Sequence, residues 1–339
     1  MARFPTVAAS GACSVSEAIA LGLLFVAVLA MTLAAGRPWI ALLSGLAIRQ
    51  HAYEDAPTSH AKKSGTPTMG GALFCIGLVA SVIAMPFLRC LNMEGLGLVL
   101  LGLGCGAVGA LDDWRSIRMG RNRGLRARDK FALTVLVGIG FLAFVMVSLP
   151  VRVHAAVFTL GRQVLHVPQP LWYLLALLAL LATMHAVNLT DGLDGLAAGS
   201  VLPPLAVFSW LGWQNGAFGV CVVDIALAAS TIGFLAFNRH PARLFMGDTG
   251  ALLLGGVLAG SAVLTGSLLL LPLVGGVFAA EALSVIAQVG YFKTTRRRIF
   301  RMSPLHHHFE LGGWPETKVT VRFWTASALC SLAGVVIAR

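Results

Sequence analysis

Asn188-Leu189-Thr190-Asp191-Gly192-Leu193-Asp194 carries two carboxylates, an amide and a hydroxyl between two long apolar segments. Polar groups at a membrane boundary cost solvation unless water reaches them or something binds them. If Asp191 opens a helix, the i,i+3 spacing sets Asp191 and Asp194 on one face, one turn apart. Two anions so placed repel unless a cation or hydrogen-bond donors lie there. Gly192 and Gly195 leave room for a ligand or a neighbouring backbone. The competing reading is a helix start, where Asp is favoured as a cap and by the dipole.

Other clusters pose the same choice. Adjacent Asp112 and Asp113 suit Mg2+, which takes one or two carboxylates plus phosphate oxygens and water; otherwise they are a solvated helix end balanced by Arg115 and Arg118. Asp248, in Gly247-Asp248-Thr249-Gly250, either caps the apolar run it precedes or holds a metal beside a phosphate drawn to free N–H groups. Phe245 is an interface anchor or a platform for a flat base. Lys63 precedes Ser64-Gly65-Thr66-Pro67-Thr68-Met69-Gly70-Gly71, which reads as a hydroxyl-capped helix start or as a phosphate contact. His306, His307 and His308 are consecutive, so their side chains diverge, whereas zinc ligands must converge; donors to a phosphate or sugar fit better.

These groups need a scaffold, and the composition says which. The 339 residues are 57% hydrophobic and 12% charged, with a mean hydropathy of +0.83. That excludes an ordinary soluble domain. Ten apolar runs are long enough to span a bilayer: 18–36, 70–88, 95–111, 131–149, 171–187, 196–213, 217–236, 250–266, 270–291 and 321–338. The first is too long for a signal peptide's apolar core and is read as retained. Of the 25 Lys and Arg, 20 fall in the segments after odd-numbered spans and 5 on the other side. By the positive-inside rule both termini are periplasmic and those segments cytoplasmic.

The net charge of +11 thus gathers on one face, where it signals topology, attracts anionic lipids and concentrates phosphorylated substrates. The arginine-rich stretch from 114 to Lys130 reads as an interfacial amphipathic piece. Alternation over 150–170 predicts a short periplasmic β-hairpin turning at Gly161. Six scattered cysteines without metal spacing read as core packing. Glu281 and Asp224 lie within spans and are expected to be paired inside the bundle. The fold class is an all-α polytopic membrane protein of about ten transmembrane helices, and residues 1–339 form a single integral membrane domain.

Every polar cluster lies on the cytoplasmic side, and the outer loops hold nothing comparable. A shared polar cleft, acids for Mg2+ and a basic surround point to phosphoryl transfer between a nucleotide and a lipid phosphate.

At these residues the chain resembles the phospho-N-acetylmuramoyl-pentapeptide transferase family, within the polyprenyl-phosphate N-acetylhexosamine-1-phosphate transferases. The matching stretches are Gly65 to Gly71, Asp112-Asp113, Asn188 to Ala197, Phe245 to Gly250, Met302 to Glu310 and Gly313 to Glu316. The resemblance implies a dimeric enzyme of the bacterial inner membrane, with its active site on the cytoplasmic face. It would move phospho-N-acetylmuramoyl-pentapeptide from UDP-MurNAc-pentapeptide to undecaprenyl phosphate, with Mg2+, forming lipid I and UMP; no nucleic-acid partner is implied. Carried over by position, Asp248 is the metal ligand, Asp112 and Asp113 are catalytic, and Asp112 is a candidate base. Phe245 stacks on uracil; Asn188, Asp191, Gly192, Leu193, Asp194 and Asn238 line the uridine pocket. Lys63, Thr68, Lys130, His306, His307 and His308 contact phosphates or sugar.

The chain departs from the family at Ser116, where Lys is frequent, at His185 in place of Asn, and at Ala251 in place of Ser. The rival readings are a relative that uses UDP-GlcNAc or a similar donor, and an anion transporter. A transporter predicts several paired charges near the bilayer midplane, where only Glu281 and Asp224 are found.

Overall fold

The computed structural model describes residues 15–46, 65–88, 90, 92–119, 124–149, 157–160 and 163–338. Lys63, Cys13 and Gly161, the expected turn of the hairpin, lie outside them. Among the described residues nine helices are long and apolar enough to cross a membrane, and a bent pair makes up to ten. In chain order the elements are α1 (Val15–Gly45), a 3-10 turn (Gly70–Leu73) leading into α2 (Phe74–Phe87), α3 (Met93–Arg118) and α4 (Ala127–Ser148). After a hairpin, β1 (Val157–Leu160) and β2 (Gln163–His166), come α5 (Gln169–Thr190), α6 (Leu196–Gln214), α7 (Phe218–Asn238) and α8 (Gly247–Leu264). The chain ends with α9 (Leu271–Val274), α10 (Gly276–Thr295), the short α11 (Leu305–Glu310) and α12 (Glu316–Ala338). The hairpin pairs antiparallel from Val157 with His166 to Leu160 with Gln163.

Several helices outrun their apolar segments. α3 continues two turns past residue 111, so Asp112 and Asp113 sit on a helix and not in a loop. α3 carries Arg115 and Arg118 of the arginine-rich stretch and α4 carries Arg128 and Lys130, while residues 120–123 lie outside the described residues. α1 passes through Arg37 and Pro38 to Gly45, since Leu43 remains in the core and the Trp39 indole donates to Met69 O at 3.3 Å. The ninth apolar run is two pieces, Leu268–Val274 and Gly276–Thr295, bent by 81° at Gly275.

α8 is the axis of the bundle: Thr249 through Leu264 are all buried, wrapped chiefly by α3 and α5. In lipid, where apolar contact alone favours no partner, small residues let helices approach closely. A Cβ on Gly109 of α3 would lie 2.1 Å from Asp248 O, and one on Gly71 would lie 2.1 Å from Gly250 Cα. The outer helices instead present Leu23, Leu136 and Leu332, all largely exposed, as a lipid-facing surface. Gly71→Ala is expected to force two backbones apart and cost about 1–3 kcal/mol, measured as a lower Tm in detergent.

The intramembrane acids are paired as expected. Asp224 accepts from the Ser261 hydroxyl at 2.8 Å, and Glu281 accepts from the His306 N–H at 3.1 Å. Cys75, Cys90, Cys105, Cys221 and Cys330 are free thiols, buried or half-buried.

Candidate active site

The site begins where α3 meets the first turn of α8. Asp248 does not cap α8, which has no side-chain cap of its own. The cap comes from another helix: Asp113 Oδ1 accepts from the Asp248 N–H (3.0 Å), and Oδ2 from the Thr249 N–H (2.9 Å) and hydroxyl (2.6 Å). A buried carboxylate with three donors satisfies orphan N–H groups and fixes the helix start. Gly247 makes this approach feasible, with φ of 71° and no Cβ; one built there would lie 2.5 Å from Asp113 Oδ2 and 3.0 Å from Thr68 Oγ1. Thr68 is thus buried beside the same carboxylate.

The Thr66-Pro67-Thr68 stretch does not cap a helix by hydroxyl either. Met69 adopts φ of 67°, and the segment pairs by backbone with the α7–α8 loop. Gly70 N donates to Phe245 O (2.8 Å), Gly71 N to Met246 O (2.9 Å) and Phe245 N to Pro67 O (2.8 Å). Phe245 is held by its main chain, leaving a half-buried ring.

With its backbone clamped, the Asp248 carboxylate meets three groups. The Lys130 ammonium donates to Oδ2, the Asn188 amide donates to Oδ1 at 2.6 Å, and Asp112 lies within hydrogen-bonding reach. Lys130 also donates to Asn188 Oδ1 at 3.3 Å, and Asp112 Oδ1 accepts from the Leu125 N–H at 3.0 Å. Four helices therefore deliver two carboxylates, an ammonium and an amide to one point. Asp113 stands behind it as a positioning group. Asp113→Ala is expected to lower stability by about 1–3 kcal/mol, seen as a drop in Tm, and to reduce turnover by displacing Asp248.

The Asn188–Asp194 stretch is not the start of a helix. α5 runs to Thr190, and the Asp191 N–H closes its end on Val187 O and Asn188 O (3.2 and 3.3 Å). A turn follows, ending at Gly195 with φ of 73°, before α6 starts at Leu196. Asp191 and Asp194 consequently do not share a helical face. Leu193 packs with Leu196 and Val319 beneath the turn. Gly192 lies against His306, whose Nε2 a Cβ there would approach to 2.3 Å.

Asp194 and Asn238 brace this turn from below. Asn238 accepts from the Gly195 N–H (3.0 Å) and donates to Leu244 O (2.9 Å). Asp194 Oδ2 accepts from His240 Nδ1 and the Ala242 N–H, both 3.0 Å, while its own N–H donates to Glu316 at 2.6 Å. Asp194, His240 and Glu316 lie close enough to hold a cation by distance alone. Their hydrogen bonds to one another make them a tie between loops and α12 instead.

The histidines diverge on α11, as consecutive residues must. His306 is buried with Nδ1 3.3 Å from Glu281 Oε1, and burial holds its imidazole below the usual histidine range. His307 pairs with Glu310 at 3.1 Å, and His308 Nδ1 accepts from the Arg301 N–H at 3.1 Å.

The structure thus brings together Asp112, Asp113, Thr68, Lys130, Asn188 and Asp248. The turn from Asp191 to Asp194, with Asn238 and His306, adjoins them through Asn188; His307 and His308 follow on α11. Thr249, Glu281, His240 and Glu316 also belong to this assembly. Gly-Asp-Thr-Gly placed Thr249 at a helix start, but nothing in the spacing signalled its bond to Asp113.

Comparison with known proteins follows this geometry. Residues 95–266 match the glycosyl transferase family 4 pattern, and residues 63–75 match signature 1 of phospho-N-acetylmuramoyl-pentapeptide-transferase. Proteins of that name from Geobacillus kaustophilus, Heliobacterium modesticaldum and Desulforamulus reducens are 42%, 44% and 43% identical to the chain. The alignments cover 88%, 89% and 91% of this chain and 92%, 92% and 93% of those proteins.

Proposed function

The chain belongs to the phospho-N-acetylmuramoyl-pentapeptide-transferase family, and from that membership we propose the reaction its acidic site performs. It transfers phospho-N-acetylmuramoyl-pentapeptide from UDP-MurNAc-pentapeptide to undecaprenyl phosphate, forming lipid I and UMP in peptidoglycan synthesis. The observation that carries this reading is the convergence of Asp112, Lys130, Asn188 and Asp248 at one end of an apolar bundle. Such a site joins a water-soluble diphosphate to a membrane-borne phosphate.

Two carboxylates in reach of each other, with a single ammonium beside them, suit Mg2+, a hard cation that prefers oxygen donors. Asp248 would hold it, with Asp112 next to it. When bound, Mg2+ neutralises the diphosphate and stabilises departing UMP. Lys130 reaches the entering phosphate, Asn188 fixes the Asp248 carboxylate, and Asp113 holds the α8 start in place. An oxygen of the lipid phosphate attacks the sugar-proximal phosphorus directly, and the bond to UMP breaks. Phe245 offers a face for uracil, the Asp191–Asp194 turn and Asn238 a wall for uridine, and Lys63, Thr68 and the histidines contacts to phosphate or sugar. The Lys and Arg distribution supports a cytoplasmic active site and periplasmic termini; the family resemblance supports a homodimer.

The test is UMP release from UDP-MurNAc-pentapeptide, with and without polyprenyl phosphate and Mg2+. Release that needs both supports the reading. Equal turnover of UDP-GlcNAc would refute the donor assignment.

A further inference from the structure

Behind the Lys130–Asn188 contact lies a second layer that this chemistry does not use. α4 and α5 run antiparallel, so one turn deeper Thr134 meets His185, 3.4 Å from Thr134 Oγ1 to Nε2. Three residues along α5 place His185 about 4.5 Å from Asn188 toward the bilayer. Its ring stacks on Phe131, centroids 6.1 Å apart, and Phe131 is exposed on the lipid-facing side.

The hydrogen bonds fix the tautomer. Thr134 has one hydroxyl proton and donates it to Phe131 O at 2.8 Å, so it can only accept from the imidazole. Nε2 therefore carries the hydrogen, and Nδ1 is left with its lone pair and no protein donor among the described residues. The charged groups bearing on the ring are Lys130 from α4 and Asp248 from α8, of opposite sign.

We propose that Nδ1 of His185 takes the proton from the acceptor phosphate as the lipid enters from the bilayer. This rests on the transfer reaction above. A phosphate entering as the monoanion, RO–PO2(OH)−, loses its O–H bond; the proton forms the Nδ1–H bond, and the resulting dianion meets Lys130. Phosphoryl transfer follows with no further proton change, and the imidazolium returns the proton to water when product leaves. A residue on the bilayer side of the acids serves the membrane-borne substrate, whereas a nucleotide arrives from water.

The test compares the full-length enzyme with H185N, T134V and H185F, following kcat/KM for polyprenyl phosphate against pH. With His185 the monoanion is productive, so activity persists below the second phosphate pKa of about 6. H185N and H185F require the dianion, so their acid limb moves up to about 6. T134V releases the tautomer and gives a smaller shift in the same direction. Superimposable profiles in variants with unchanged Tm, or a change confined to the donor, would overturn the role of His185 alone. An inactive wild type would overturn the transfer reaction and this role with it.

Discussion

Asp248→Asn is expected to reduce UMP release by about a thousandfold while the protein still inserts and melts near the wild-type temperature. The two halves of that result have separate structural causes. The fold depends on the main chain of Asp248, which Asp113 holds through the N–H groups of residues 248 and 249. Asparagine leaves that clamp intact and can still accept from the Asn188 amide through its own oxygen. What it loses is the negative charge that faces Lys130 and would face a divalent cation. UMP release measured beside a thermal melt separates the two. Full activity in this variant would refute Asp248 as the metal ligand, and a collapsed Tm would mean that its charge is structural.

Lys130→Met is expected to lower turnover by about a hundredfold. Methionine preserves most of the stem's packing between α4 and α5 but removes the single ammonium bonded to both Asp248 and Asn188. Asp112 and Asp248 then face each other without that cation, and an entering phosphate meets two anions instead of a balanced set. Raising Mg2+ is expected to recover part of the loss, as added positive charge relieves the repulsion. Activity indifferent to this substitution would remove Lys130 from the site. Arginine is no substitute in this comparison, since its planar fork and longer reach suit a different geometry.

Much of the bundle could be read from the chain because in lipid the apolar run is itself the structural signal. Each of the ten runs found a helix, including the ninth, whose bend at Gly275 hydropathy could not show. The errors lie at helix ends. α3 continues past its apolar run because a helix needs no lipid to persist, and so Asp112 and Asp113 gained fixed directions that a loop would not supply. Asp191 looked like a helix start, as Asp often does, but the Asp191 N–H closes α5 instead, and Gly192 and Gly195 allow the turn.

The site was legible as a set of residue types and illegible as a division of labour. Adjacent aspartates look interchangeable in sequence. On a helix, neighbours differ by about 100° in direction, so Asp112 turns to Asp248's carboxyl while Asp113 turns to its backbone. Asp194 and Asn238 carry the marks of ligand residues, and in the fold both are bound up with loop backbone. No local pattern announces such contacts, because their partners lie tens of residues away.

One of those distant partners fastens the site from afar. The turn that flanks the acids is fastened by α12, the last span: Glu316 receives the Asp194 N–H, Trp324 donates to Gly195 O at 3.1 Å, and its indole fills the space over Gly199. The carboxylates of α3 and α8 and the Asn188 amide of α5 all precede this brace in the chain. The turn beside the acids is therefore held from α12, far along the chain from α3, α5 and α8, and a loosened α12 is expected to loosen that turn with it.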